Sequence, residues 1–92
     1  MKAIHAKEMK NIYVVMGTTG EYSDRSEWPV AAFKSEDAAK ELITKATARA
    51  NELFVTNGRS WSCIEAGANE FDSDMRTDYT GTSYFYMTVE LR

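Results

Sequence analysis

Residues 83–91 read Ser-Tyr-Phe-Tyr-Met-Thr-Val-Glu-Leu, and they form the clearest predicted strand in the chain. Two sets of side chains alternate along it with the period of two that is typical of a β-strand with one buried face. The odd-numbered set, which we expect to face the core, is Phe85, Met87, Val89 and Leu91. The even-numbered set, which we expect to face solvent or a partner, is Tyr84, Tyr86, Thr88 and Glu90.

The segment from Ser35 to Val55 predicts one long amphipathic helix that packs on this strand. Ser35 is a suitable N-cap, and Glu36 and Asp37 follow it where the helix dipole favours negative charge. Apolar residues recur at spacings of three and four, which places them on one side of a helix. They are Ala39, Leu42, Ile43, Ala46, Ala50, Leu53 and Phe54.

Two further strands are predicted before the helix. Residues 11–16 are rich in β-branched and aromatic side chains, and residues 27–33 form the second strand. Pro29 cannot donate a ladder hydrogen bond, so it belongs near the start of an edge strand or at a bulge. We expect Gly17-Thr18-Thr19-Gly20 to end the first strand, and a polar tip to join the two strands as a hairpin.

This order of elements predicts an α+β fold, in which a small antiparallel sheet of order β-β-α-β carries one long helix on one face. Residues 11–92 form the single domain, and residues 1–10 are a loosely ordered N-terminal extension. Residues 61–65 are a candidate extra short strand, followed by a polar segment at 66–81 that forms either a long loop or one arm of a hairpin. The second face of the sheet is then open to water or to a partner. The residues expected there are Tyr13, Val15, Tyr84 and Tyr86.

Composition narrows the class of protein to a small, acidic, cytoplasmic domain. The net charge of −3 argues against attraction to nucleic acid or to anionic membranes, both of which favour basic patches. No apolar run approaches the roughly 20 residues of a membrane-spanning helix, and the first residues lack the apolar core of a secretory signal. The single cysteine, Cys63, cannot form an internal disulfide, which fits a reducing compartment.

No group of residues has the spacing of a catalytic or metal site. Cys63 and His5, the one thiol and the one imidazole, predict neither a catalytic pair nor structural zinc. Four acidic residues lie close together in the loop: Glu70, Asp72, Asp74 and Asp78. They begin like a calcium-binding EF-hand loop, but Arg76 stands at the third ligand position and Thr77 replaces the required glycine. We interpret them as part of a solvated loop, with cation binding left open, and expect no cofactor.

Two other features bear on binding. The turn at residues 17–20 is glycine-rich, but it lacks the following helix and the Lys-Ser/Thr ending of a phosphate-binding loop. Aromatic residues are numerous, but basic residues do not interleave with them as they do on platforms for single-stranded nucleic acid. Tyrosines with acidic neighbours are more typical of protein recognition.

Residues 12–25, Ile-Tyr-Val-Val-Met-Gly-Thr-Thr-Gly-Glu-Tyr-Ser-Asp-Arg, resemble small proteins encoded by bacteriophages and prophages, together with Trp28 and residues 30–33 and 35–39. The resemblance covers roughly the N-terminal half of the structured chain. It implies two strands around a polar tip, then a helix with an acidic first turn, in the cytoplasm of an infected or lysogenic bacterium. It supplies no catalytic residues, because no activity is established for such proteins.

The sequence and this resemblance together predict a non-enzymatic accessory protein that binds a host or phage protein, with inhibition of a host defence system as one such role. The expected contact residues are Glu21, Tyr22, Asp24, Arg25, Asp72, Asp74, Tyr84 and Tyr86. The alternative is a small-ligand or nucleotide-binding protein assembled as a homodimer over its apolar sheet face. The sequence identifies neither the partner nor the oligomeric state.

Overall fold

The computed structural model describes residues 10–21, 25–56, 64–65, 67–78 and 80–91. Its elements are β1 (Lys10–Thr19), β2 (Ser26–Phe33), α1 (Glu36–Thr56) and β3 (Thr82–Leu91). The strands form an antiparallel sheet in the order β2-β1-β3, and α1 packs on one face of it. The predicted α+β fold is therefore confirmed. In this part of the chain, no helix has the length and apolar character needed to cross a membrane.

The edge strand β2 contains both features expected around its proline. Its register with β1 slips once, between Val15 and Met16, so that Val30 is an extra residue beside Pro29. A bulge on an edge strand tolerates proline, because the missing N–H removes no ladder hydrogen bond inside the sheet. The predicted position of Pro29 is thus confirmed.

The helix begins at the predicted cap and buries the predicted stripe. The Ser35 hydroxyl accepts a hydrogen bond from the N–H of Ala38 at 3.2 Å. The buried positions of the stripe are small or aliphatic: Ala39, Ala46, Ala50 and Leu53. Two Glu–Lys pairs four residues apart add a few tenths of a kcal/mol each on the exposed side. They are Glu36–Lys40 at 3.8 Å and Glu41–Lys45 at 3.1 Å.

The side chains of β3 that face α1 are not the set that the alternation predicted, but the other one. Tyr84 is buried and Tyr86 packs against the same core, which also contains Val15 and Tyr13 of β1. By contrast, three apolar residues of β3 are close to half exposed: Met87 at 44%, Val89 at 44% and Leu91 at 48%. The predicted inward orientation of the odd-numbered set is therefore wrong, and so is the placement of the tyrosines and Val15 on the open side.

The alanines of α1 explain this choice of face. Small side chains on the helix leave a gap that wide side chains on the sheet must fill to reach the density of a protein interior. Tyrosines fill it, and the ring of Tyr86 packs edge-on against that of Tyr13 with centroids 5.8 Å apart. The Tyr86 hydroxyl also donates a hydrogen bond to the Glu36 carboxylate in the first turn of α1. Rings with polar tips thus suit this space better than Met or Val.

Strand β1 continues through the glycine that was expected to end it. Residues 17–19 pair with both neighbouring strands, and the turn begins at Gly20, where φ is 91°. The predicted break at Gly17 is therefore wrong. A Cβ at Gly17 would lie 2.5 Å from the indole ring of Trp28, so glycine is needed here for close packing instead of for a turn.

Several predictions fall wholly or partly outside the described residues. The N-terminal extension at 1–9 does, as do His5 and Cys63, while Lys10 already belongs to β1. Of the candidate short strand at 61–65 only Ile64 and Glu65 are described, and neither is in a strand. The described residues from 67 to 81 contain turns without helix or strand, which confirms the predicted loop.

Replacing Gly17 by alanine should destabilise the fold by roughly 1–3 kcal/mol, since the new methyl group overpacks against the buried Trp28 ring. Urea denaturation of the two proteins measures the difference. The control is the same substitution in a Trp28→Val background, where the clash is absent and the cost should shrink. An equal cost in both backgrounds would contradict the packing explanation.

Candidate functional site

A buried carboxylate, that of Asp72, joins the loop at 67–81 to the sheet. Asp72 is 3% exposed. Its Oδ2 accepts hydrogen bonds from the Trp28 indole Nε1 at 2.9 Å and from the Tyr84 hydroxyl at 2.7 Å. Its Oδ1 accepts one from the N–H of Asp74 at 3.2 Å. Three donors thus compensate a carboxylate whose burial would otherwise be costly.

This contact corrects two predictions about surface residues. Asp72 does not belong to a solvated acidic loop, and Asp72 and Tyr84 are too buried to serve as partner contacts. Burial, followed by the hydrogen bond to Asp72, raises the pKa of the Tyr84 phenol above its ordinary value. Their role in this structure is to hold the loop against the sheet.

Arg76 covers the outer side of the same contact. Its guanidinium carbon lies 5.5 Å from the centroid of the Trp28 ring, and its Nη1 donates a hydrogen bond to Ser26 Oγ at 3.2 Å. A cation over an indole ring at an exposed position contributes about 0.5–1 kcal/mol. Arg76 therefore covers the Trp28 ring at the end of the sheet near the hairpin tip.

A second set of hydrogen bonds fixes the base of the tip. The Thr19 hydroxyl lies 2.6 Å from the Gly81 carbonyl, to which it donates, and it accepts a bond from the N–H of Asp78 at 3.0 Å. Thr80 Oγ1 accepts one from the N–H of Gly20 at 3.1 Å. Hydrogen bonds from Thr80, the hydroxyl first, hold the pKa of Asp78 below its ordinary value. The residues at which the hairpin tip joins the sheet are therefore held in place by hydrogen bonds.

The structure does not bring the predicted contact residues into one site. Glu21 and Arg25 are exposed at the two ends of the tip, and Arg25 forms an ion pair with Glu27 at 2.7 Å. Tyr22 and Asp24 lie outside the described residues. Three others lie elsewhere: Asp74 is exposed on the loop, Tyr84 is buried, and Tyr86 packs beneath the helix.

An extended row of apolar side chains lies on the other side of the sheet, which we call the open face. It carries the side chains that the ladder register and the strand period place opposite α1. They are Ile12, Val14 and Met16 of β1, Pro29 and Ala32 of β2, and Phe85, Met87, Val89 and Leu91 of β3. These side chains are uncharged, whereas Thr18 and its ladder partners Ser83 and Glu27 follow them on the same face toward the hairpin tip. The one helix among the described residues, α1, lies on the opposite side.

Two shallow grooves beside α1 are poorer candidates for a site. The larger, of about 480 Å³, is lined by Lys45, Ala48, Arg49, Glu52, Glu70 and Phe71. Its charges are already paired: Arg49 lies 2.8 Å from Glu52 and 3.0 Å from Glu70, and Lys45 pairs with Glu41. A ligand there would have to compete with these ion pairs.

The glycine-rich segment does not form a phosphate cradle either. Residues 17–19 belong to the sheet ladders, and the N–H of Gly20 is bonded to Thr80. Phosphate loops instead present several free N–H groups at a helix N-terminus. No three His, Cys, Asp or Glu side chains within the described ranges are grouped so that they could hold a metal ion.

Comparison of the chain with protein-family models, with curated proteins and with solved structures finds no match. The choice of a candidate site therefore rests on the geometry of the structure, which favours the open face over the two grooves beside α1. Sequence reasoning placed Met87, Val89 and Leu91 in the core, and so missed them as surface residues. The alanine-rich stripe of α1 was the available signal, because it called for large side chains on the facing strands.

Replacing Asp72 by alanine should lower the free energy of unfolding by roughly 2–4 kcal/mol, because two buried donors, on Trp28 and Tyr84, lose their acceptor. Asp74→Ala is the matched control: this acid is exposed two residues away, and its loss should change stability by about 0.5 kcal/mol or less. Urea denaturation measures both. Similar losses for the two variants would rule out the assigned role of Asp72.

The raised pKa of Tyr84 predicts a loss of stability at alkaline pH. The unfolded state releases the phenolic proton near pH 10, whereas the folded state retains it at Tyr84, so stability is complete below pH 10 and falls above it. Tyr84→Phe removes this contribution while leaving the other tyrosines. Its stability should therefore fall less steeply between about pH 10 and pH 11 in denaturation series. Parallel curves for the two proteins would exclude this linkage.

Proposed function

We propose that the chain is a small, non-enzymatic protein-binding module, and that it holds its partner against the open face of the sheet. The observation that carries the proposal is the group of uncharged apolar side chains on that face, among which Met87, Val89 and Leu91 are close to half exposed. Covering such surface gains about 25 cal/mol per Å² removed from water. Contiguous exposed apolar patches are typical of interaction sites.

The shape of this face suits a protein better than a small molecule. The central strand has 10 residues, so the face is about 34 Å long, and three strands give it a width of about 14 Å. Small-molecule sites are concave and enclose most of their ligand. A broad sheet surface is instead complementary to another flat apolar surface, such as a sheet or the apolar side of a helix.

Polar groups near the end of the face add the second element of a recognition surface. Arg25 and Glu27 lie where β2 begins, and Glu21 lies on the other side of the tip. Interfaces commonly combine an apolar centre with a charged, solvent-accessible rim. The base of the tip is held by Thr19 and Asp78, which lowers the entropy lost when a partner contacts it.

The biological setting of the proposal comes from the resemblance to phage and prophage proteins. It supports an accessory role in the bacterial cytoplasm, in which the module binds a host or phage protein. Binding a host defence protein and blocking its own contacts is the specific form we favour, because a module without catalytic groups acts by occupying a surface.

The decisive variant is Val14→Lys, which places a charge at the centre of the open face, between Ala32 and Met87. We expect affinity capture from a bacterial host lysate to recover a partner with the unmodified chain, and at least about tenfold less with this variant. Quantitative mass spectrometry measures the recovery, and circular dichroism confirms that the variant folds.

Val55→Lys is the matched control. Val55 is also an exposed apolar residue, at 60%, but it lies on α1 and away from the open face. It should leave recovery of the partner unchanged. Equal recovery with both variants, or no partner for the unmodified chain, would reject the proposed function.

A further inference from the structure

The two outer edges of the sheet differ in their protection. The edge formed by β2 carries Pro29, which has no N–H, and the bulge at Val30. The edge formed by β3 has 10 residues without proline, glycine, lysine or arginine, and its register with β1 is unbroken. Among the described elements, no strand pairs with the outer side of β3. Proteins usually protect such edges with proline, bulges or basic residues, so this one is suited to accept a strand.

We propose that β3 pairs antiparallel with β3 of a second copy of this chain, around a two-fold axis at Met87. Two three-stranded sheets would then form one continuous sheet of six strands. The interaction uses the backbone groups at the sheet edge, with Phe85, Met87 and Val89 of the open face meeting their counterparts across the seam, and it goes beyond the proposed function.

The sequence of β3 is symmetric about Met87 in the way this pairing requires. Directly opposed residues of antiparallel strands share a face, so odd positions must meet odd positions and even positions must meet even ones. Phe85 then lies opposite Val89 of the second copy, and Met87 lies opposite its own equivalent. These apolar neighbours shield one another, which lowers the exposure of Met87 and Val89.

Charge also favours a second copy as the occupant. Glu90 is the one charged residue of β3, and this register places it opposite Tyr84 of the second copy instead of opposite itself. A register centred two residues earlier, on Phe85, would oppose Met87 to Ser83 and shorten the pairing. The Met87-centred register matches all residues from 83 to 91 and opposes no like charges.

The pairing leaves the open face available for a partner. A two-fold axis perpendicular to the sheet keeps both helices on one side, and the two open faces join on the other side. The surface for partner binding would therefore double in width, and its avidity for a symmetric target would increase.

Charge reversal at the two-fold axis tests the pairing and its register together. Sedimentation equilibrium of the unmodified chain should show a dimer that dissociates on dilution. Met87→Lys and Met87→Glu should each dissociate it at least about tenfold more readily, because each places two like charges opposite one another. An equimolar mixture of the two variants should restore a heterodimer of one Lys and one Glu chain.

The corresponding pair of variants at Val55, also on the surface but away from β3, is the control and should leave dimerisation unchanged. A monomer at every concentration would overturn the proposal, as would failure of the mixture to restore the dimer. Val14→Lys separates the two proposals, since it should abolish capture and leave the dimer intact.

Discussion

The carboxylate of Asp72 is the contact on which the rest of this structure depends. It binds Trp28 and Tyr84, which lie on either side of Gly17 in the ladder and must both point to the same side of the sheet. Because side chains alternate along a strand, this one requirement fixes the orientation of every residue in β1 and β3. The tyrosines are thereby directed beneath α1. The aliphatic and methionine side chains are left on the open face as a direct result.

The protein consequently separates two kinds of surface. Around α1 the charges are paired with one another, as at Arg49 with Glu52 and Glu70, and the grooves there offer little to a ligand. The open face instead carries a row of uncharged apolar side chains along most of its length. A domain of 92 residues has few apolar residues to spare, so leaving a row of them outside the core is informative. It is the physical basis for the proposal that this side of the sheet binds another protein.

Local patterns in the sequence were sufficient to predict the helix and the strands, but not to predict which face of each strand is buried. The cap at Ser35, the stripe of α1 and the period of β3 predicted one helix and three strands, each of which depends on neighbours in the chain. Both alternating sets of β3 are rich in apolar or aromatic side chains, so the period alone could not choose the inner one. That choice depends on contacts between elements: the packing of the α1 alanines on the sheet, and the hydrogen bond between Asp72 and Trp28, which spans 44 residues. The prediction of a strand break at Gly17 was wrong for the same reason, because the residue packed closely against it, Trp28, belongs to another strand.

The difference between the two edges of the sheet also limits how many copies of the chain could join edge to edge. A chain that can add a strand at only one side terminates after a single addition, since the β2 side, with its proline and its bulge, offers no matching row of donors to the next molecule. Fibrous polymers need two receptive ends per subunit. Pro29 and the bulge at Val30 therefore disfavour the addition of a further strand on the β2 side.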